Sequence, residues 1–190
     1  MQRLMREIIK IEKFKEDSLQ VRFKTYTMRL EDMPLDIGYA SQKVLLHDGD
    51  AKECSIGGHT GETQLIITLP FIDEALLDEM QKISEILPQS QEHKILTYIV
   101  VANSSHKKVQ LQNIQFLIDS QEEFADMYGV KLTGEPYHNE LTKALILISK
   151  DGAIYYDQFC DDLDDAFNTD ILYRKILAAQ LCYTGKGCHE

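Results

Sequence analysis

The sequence predicts an α/β fold built round a parallel βαβ unit, and three observations carry that expectation. Leu65-Ile66-Ile67-Thr68-Leu69 is a β-branched apolar run of the kind a strand shows when both of its faces are covered. Lys94-Ile95-Leu96-Thr97-Tyr98-Ile99-Val100-Val101 is a second run of the same kind. Between them Leu76, Met80, Ile83 and Leu87 recur on one helical face, with Pro88 as the stop. Two buried strands joined by one helix form a right-handed crossover with parallel strands.

The 190 residues suit one domain with a substantial core. Apolar residues at 44% and charged residues at 27% are ordinary for a globular chain, and a net charge of −11 argues against a nucleic-acid surface. The N-terminal stretch mixes charges with apolar residues and has no apolar run of signal-peptide length, and no segment approaches a membrane span; a cytoplasmic chain off the membrane is the expectation. Cys54, Cys160, Cys182 and Cys188 form no Cys-x-x-Cys pair, so reduced thiols are expected rather than structural disulfides or a zinc finger.

Taken in order, Leu4, Ile8, Ile11 and Phe14 predict a short amphipathic helix that packs either on its own domain or on a second subunit. Leu19 to Leu30 alternates with period two and predicts an opening strand or hairpin. Val44 to His47 is a short strand, Asp48-Gly49-Asp50 a turn, and Cys54 a small buried hydrophobe in the strand that follows. Gly57-Gly58-His59-Thr60-Gly61 reads as a flexible loop; it precedes a strand and not a helix, so it is no phosphate cradle.

Pro70 ends the central strand for want of an N–H, and Asp73, Glu74, Asp78 and Glu79 crowd the first turns of the helix, where its dipole favours carboxylates. Residues 103–110 are polar, and His106 among them is expected in solvent. Ile114 to Asp119 predicts a strand and Glu122 to Tyr128 a helix capped by Gly129. Residues 141–149 and 153–159 predict an antiparallel pair turning at Asp151-Gly152, and Ile171 to Leu181 a last helix. Asp161-Asp162-Leu163-Asp164-Asp165 lacks the glycine and closing glutamate of a calcium loop; a solvated loop is expected, and neither metal nor cofactor.

Pro70-Phe71-Ile72-Asp73-Glu74-Ala75-Leu76-Leu77 resembles the active-site segment of the thiol peroxidases, the atypical two-cysteine peroxiredoxins, which reads Pro-Ser-Ile-Asp-Thr-x-x-Cys between a strand and a helix. Met33-Pro34-Leu35-Asp36-Ile37-Gly38 resembles that family's Pro-x-x-Val-Gly, and Phe124-Ala125-x-x-Tyr128-Gly129-Val130 its Phe-x-x-x-Tyr-Gly-Val. The resemblance spans residues 20–178 and implies a thioredoxin-like, peroxiredoxin-type α/β/α sandwich with a mixed central sheet and an N-terminal β-hairpin. On that reading residues 1–19 are a helical extension, 20–181 the domain and 182–190 a cysteine-containing tail. It also implies a homodimer with its interface near the family's active site.

The same alignment of motifs puts Glu74 at the threonine, Leu77 at the peroxidatic cysteine and Lys143 at the catalytic arginine, with no cysteine between Cys54 and Cys160 to resolve a disulfide. A leucine cannot attack a peroxide, and a lysine point charge does not replace a guanidinium fork. The leading expectation is therefore a non-catalytic binding or assembly module. Glu74 and Lys143 then either pair, with Leu77 filling the old pocket, or reach solvent separately. The alternative is a thiol-dependent peroxidase or disulfide reductase using Cys182 and Cys188, with Cys160 or Cys54 assisting. Lesser options are a Cys182–Cys188–His189 metal site and a cationic ligand or protein tail held by Glu74 and the acidic helix start.

Overall fold

The structure is a computed structural model, and it describes residues 19–88 and 94–181. The N-terminal helix expected before residue 19 and the thiols Cys182 and Cys188 lie outside the described residues.

A seven-stranded mixed sheet forms the middle layer. Its order is β10 (Ile154–Phe159), β9 (Ala144–Ile148), β5 (Thr63–Thr68), β6 (Ile95–Val101), β7 (Ile114–Ile118), β3 (Val44–His47) and β4 (Glu53–Ile56). Strands β5, β6 and β7 run parallel; the outer pairs are antiparallel. The expected crossover is present: α1 (Glu74–Ile86) links β5 to β6, with Thr63 opposite Ile95 and Thr68 opposite Val100. Every residue of β5 is buried, as a strand covered on both faces must be.

The alternation of β5 sorts its side chains into two cores. Leu65, Ile67 and Leu69 meet α1 and α3 (Thr169–Leu181) through Met80, Ile83, Leu172 and Ile176. Ile66 faces the other way, onto Phe124 and Tyr128 of α2 (Glu123–Tyr128). Burial of each such aliphatic side chain contributes roughly 1.5–3 kcal/mol before entropy is counted. Helices on both faces of one sheet give the three-layer sandwich.

The expected hairpin is β1 (Gln20–Phe23) with β2 (Tyr26–Leu30), and it lies outside the main sheet. It makes a second, three-stranded sheet with β8 (Leu132–Thr133), a strand too short to leave a period in the sequence. Its apolar side forms a third core with Leu163, closed by Phe71 and Tyr137.

Two glycines hold this arrangement together. Gly129 ends α2 at φ +64, and a Cβ there would come within 2.4 Å of the Met33 carbonyl. Gly57, at φ +71, sits against the Gln42 carbonyl and the Tyr128 hydroxyl. The glycine loop expected to be flexible is tied down: the Gly57 N–H donates to Gln64 Oε1 at 2.9 Å and the Gly58 N–H to Ser41 Oγ at 3.0 Å.

Candidate functional site

The end of β5 delivers the chain to the start of α1. Asp73 caps that helix, its carboxylate accepting the Leu76 N–H at 2.9 Å. One turn in, Leu77 is partly buried against the core between α1 and α3. Phe71 turns toward the hairpin and stacks on Tyr137 at 5.0 Å, while Phe23 lies 5.3 Å from Phe71 and 5.2 Å from Tyr137. Antiparallel pairing sets Thr68 opposite Ala144, so Lys143 emerges beside Leu69 and Pro70. The sequence thus brought Pro70, Leu77 and Lys143 to one end of the sheet.

Neither expected arrangement of Glu74 and Lys143 occurs: the two do not pair, and Lys143 does not reach solvent. Glu74 is exposed on the outer side of α1. Lys143 Nζ instead donates to Glu79 Oε2 at 2.8 Å and to the Asp165 carbonyl at 2.6 Å. Glu79 Oε1 accepts the Phe167 N–H, and the Phe167 ring lies 5.0 Å beneath the ammonium. Five positions on a helix turn a side chain by about 140°, which carries Glu79 inward where Glu74 faces out. The Lys143 side chain is 3% exposed and that of Glu79 is 12% exposed. A buried pair of this kind depends on further hydrogen bonds, here the Asp165 carbonyl for the ammonium and the Phe167 N–H for the carboxylate.

Cys160 borders the same cluster. Its N–H donates to the Lys143 carbonyl at 3.1 Å and its thiol points to the Asp165 carbonyl at 3.7 Å. Burial pushes the thiol up to about 12, and the nearby ammonium offsets this only in part. Cys54, half-buried and aimed at Gln115 Oε1 at 3.7 Å, is also raised by burial. Neither thiol has the electropositive, accessible setting of a nucleophile.

His106 is a second correction. It is not solvated: its side chain is 11% exposed and Nε2 lies 2.7 Å from Glu140 Oε2, whose other oxygen accepts from Asn103 Nδ2 at 2.9 Å. Glu140 is remote in sequence, so no local pattern announces the pair. Around it, residues 103–110 form no helix. A cleft of about 850 Å³ lies at the other end of the sheet, by Thr97, Ile114 and Phe116, away from Lys143. Among the described residues no cluster of three His, Cys, Asp or Glu side chains could hold a metal.

No protein-family model matches the chain. It is 22% identical to a thiol peroxidase of Aquifex aeolicus over 161 residues, which cover 82% of this chain and 95% of that protein. The fold superposes on a peroxiredoxin-like protein of Aquifex aeolicus with a TM-score of 0.75 at 22% identity, covering 85% of this chain and 97% of the other. The chain is thiol-peroxidase-like, with the thioredoxin fold of the peroxiredoxins. A thiol peroxidase from Chromobacterium violaceum superposes with a TM-score of 0.71 at 18% identity, covering 85% and 97% of the two chains. Against the thiol-peroxidase motif, this chain carries phenylalanine, glutamate and leucine at positions 71, 74 and 77. Among the described residues no helix is long and apolar enough to cross a membrane.

Proposed function

We propose that this chain is a non-catalytic, thiol-peroxidase-like module that binds or assembles and does not reduce peroxide. One observation carries the reading. The cation at the family's arginine position is bound by Glu79 and a backbone carbonyl, beneath a segment whose cysteine position is Leu77. Peroxide reduction needs a thiolate and free hydrogen-bond donors aimed at the leaving oxygen. Lys143 gives two of its hydrogen bonds to groups inside the protein, and Phe71 packs with Tyr137 and Phe23 in the hairpin core. The Glu74–Lys143 plug is not what forms: Glu74 is exposed, and Glu79 pairs with Lys143. Homodimerisation through the surface near Phe71 and a cytoplasmic setting belong to the same reading, supported by the likeness to peroxiredoxins.

The test is peroxide consumption by the fully reduced full-length protein, with intact mass recorded before and after. The expected rate is no faster than that of free cysteine at the same thiol concentration. Faster consumption, with loss of two hydrogens mapped to Cys182 and Cys188, would overturn the reading in favour of a thiol-dependent oxidoreductase.

A further inference from the structure

The cleft at the end of the sheet away from Lys143 owes its shape to a mismatch between two strands. β7 begins at Ile114, opposite Thr97, whereas β6 already pairs with β5 from Ile95. The first residues of β6, Ile95 and Leu96, therefore have no strand beside them on the β7 side, and a space of about 850 Å³ opens there. That volume falls within the roughly 300–1,000 Å³ of sites that take a cofactor-sized molecule. Its walls are anchored. Val109 is buried in the core between α1 and α3, and Ser84 Oγ of α1 donates to the Gln112 carbonyl at 2.8 Å. Leu87, Ile95 and Phe116 add buried hydrocarbon to the lining.

The polar groups of this lining are unevenly occupied. Thr97 is 3% exposed, and its hydroxyl has no hydrogen-bond partner. An unpaired buried hydroxyl costs stability, so the empty cleft holds an unmet polar group. Among the described residues the charged groups of the lining are Lys94, Lys108 and Asp48. The Asp48 carboxylate already accepts the Asp50 and Lys52 N–H groups, each at 2.9 Å. Lys108 meets Asp50 at 3.2 Å in an exposed pair that solvent weakens, and Lys94 has no ion-pair partner among the described residues. Two cations over an apolar floor, in a chain of net charge −11, favour an anion with an apolar body. We propose that the cleft binds a small amphipathic anion, its acidic head between Lys94 and Lys108, its apolar body on Ile95 and Phe116, and one polar group of that body against the Thr97 hydroxyl. The site lies apart from Lys143 and stands whether or not the chain reduces peroxide.

The probe is anilinonaphthalene sulfonate, titrated by fluorescence into the full-length protein, and it should saturate a single site. Phenylnaphthylamine, with the same rings and N–H but no sulfonate, should bind about ten-fold more weakly, as should the sulfonate on Lys94→Glu/Lys108→Glu. Thr97→Val should bind the sulfonate about five-fold more weakly, yet unfold at a higher temperature when empty, because valine removes the unpaired hydroxyl. Leu177→Glu, which charges the exposed apolar flank of α3, should leave binding unchanged. Four results would each overturn the proposal: no saturable binding, equal affinity for the uncharged probe, an affinity untouched by the lysine or threonine changes, or loss of binding in Leu177→Glu.

Discussion

At the residue scale the argument turns on Lys143 and Glu79. A buried ion pair is costly to break and cheap to replace, because a single deletion strands a desolvated charge. Glu79→Leu alone and Lys143→Met alone should each lower stability by about 3–5 kcal/mol. The double variant Glu79→Leu/Lys143→Met should lose far less than the sum, since hydrocarbon then replaces both charges. Urea unfolding of the four proteins measures the coupling; additive losses would mean that each side chain acts alone. Cys160 gives a prediction in pH. Its folded pKa is raised to about 12 from an ordinary 9.0, so above that ordinary value the unfolded chain gives up the thiol proton first. Stability from this group is therefore full below pH 9.0 and lost as pH climbs through the folded value. The stability difference between the native sequence and Cys160→Ala should shift against the native by about 1.4 kcal/mol per pH unit above the ordinary thiol value. Unfolding at about pH 8 and about pH 10 checks it; a pH-independent difference would show that the thiol is not held protonated.

At the scale of elements, α1 is the piece on which the candidate site hangs, and its start is set by one carboxylate. Asp73 satisfies the Leu76 N–H and adds a negative charge at the positive end of the helix. Asp73→Ala should cost about 1 kcal/mol, and Asp73→Ser should recover most of it, which thermal unfolding resolves. Helix α2 uses a different device. Glu122, at its N-cap position, makes no side-chain cap, and Asp119 instead accepts from the Phe124 and Ala125 N–H groups at 3.1 and 2.7 Å. Burial raises the Asp119 pKa, with those two bonds working against it. That cap reaches back beyond the usual position, which is why the sequence shows the helix and hides what holds its end.

At the scale of the whole molecule, the sequence determined most of the fold. Unbroken β-branched runs fixed the buried strands, the spacing of Leu76, Met80 and Ile83 fixed the inner face of α1, and Pro70 and Gly129 marked its approach and the end of α2. These signals are local, arising from backbone sterics and from which side of an element faces water. The motif order from Pro34 to Lys143 carried the family likeness on top of them. Three outcomes belonged to tertiary structure alone. The hairpin pairs with β8, whose two residues are enough to bond β2 but too few to show a period. His106 was drawn in by Glu140, a partner remote in the chain. Lys143 chose Glu79 over Glu74, because both carboxylates are near in sequence while only one is rotated toward the seam between α1 and α3. Sequence records which groups a chain possesses and how they repeat; which of two equal charges ends up opposite a third is decided only when helices and strands pack.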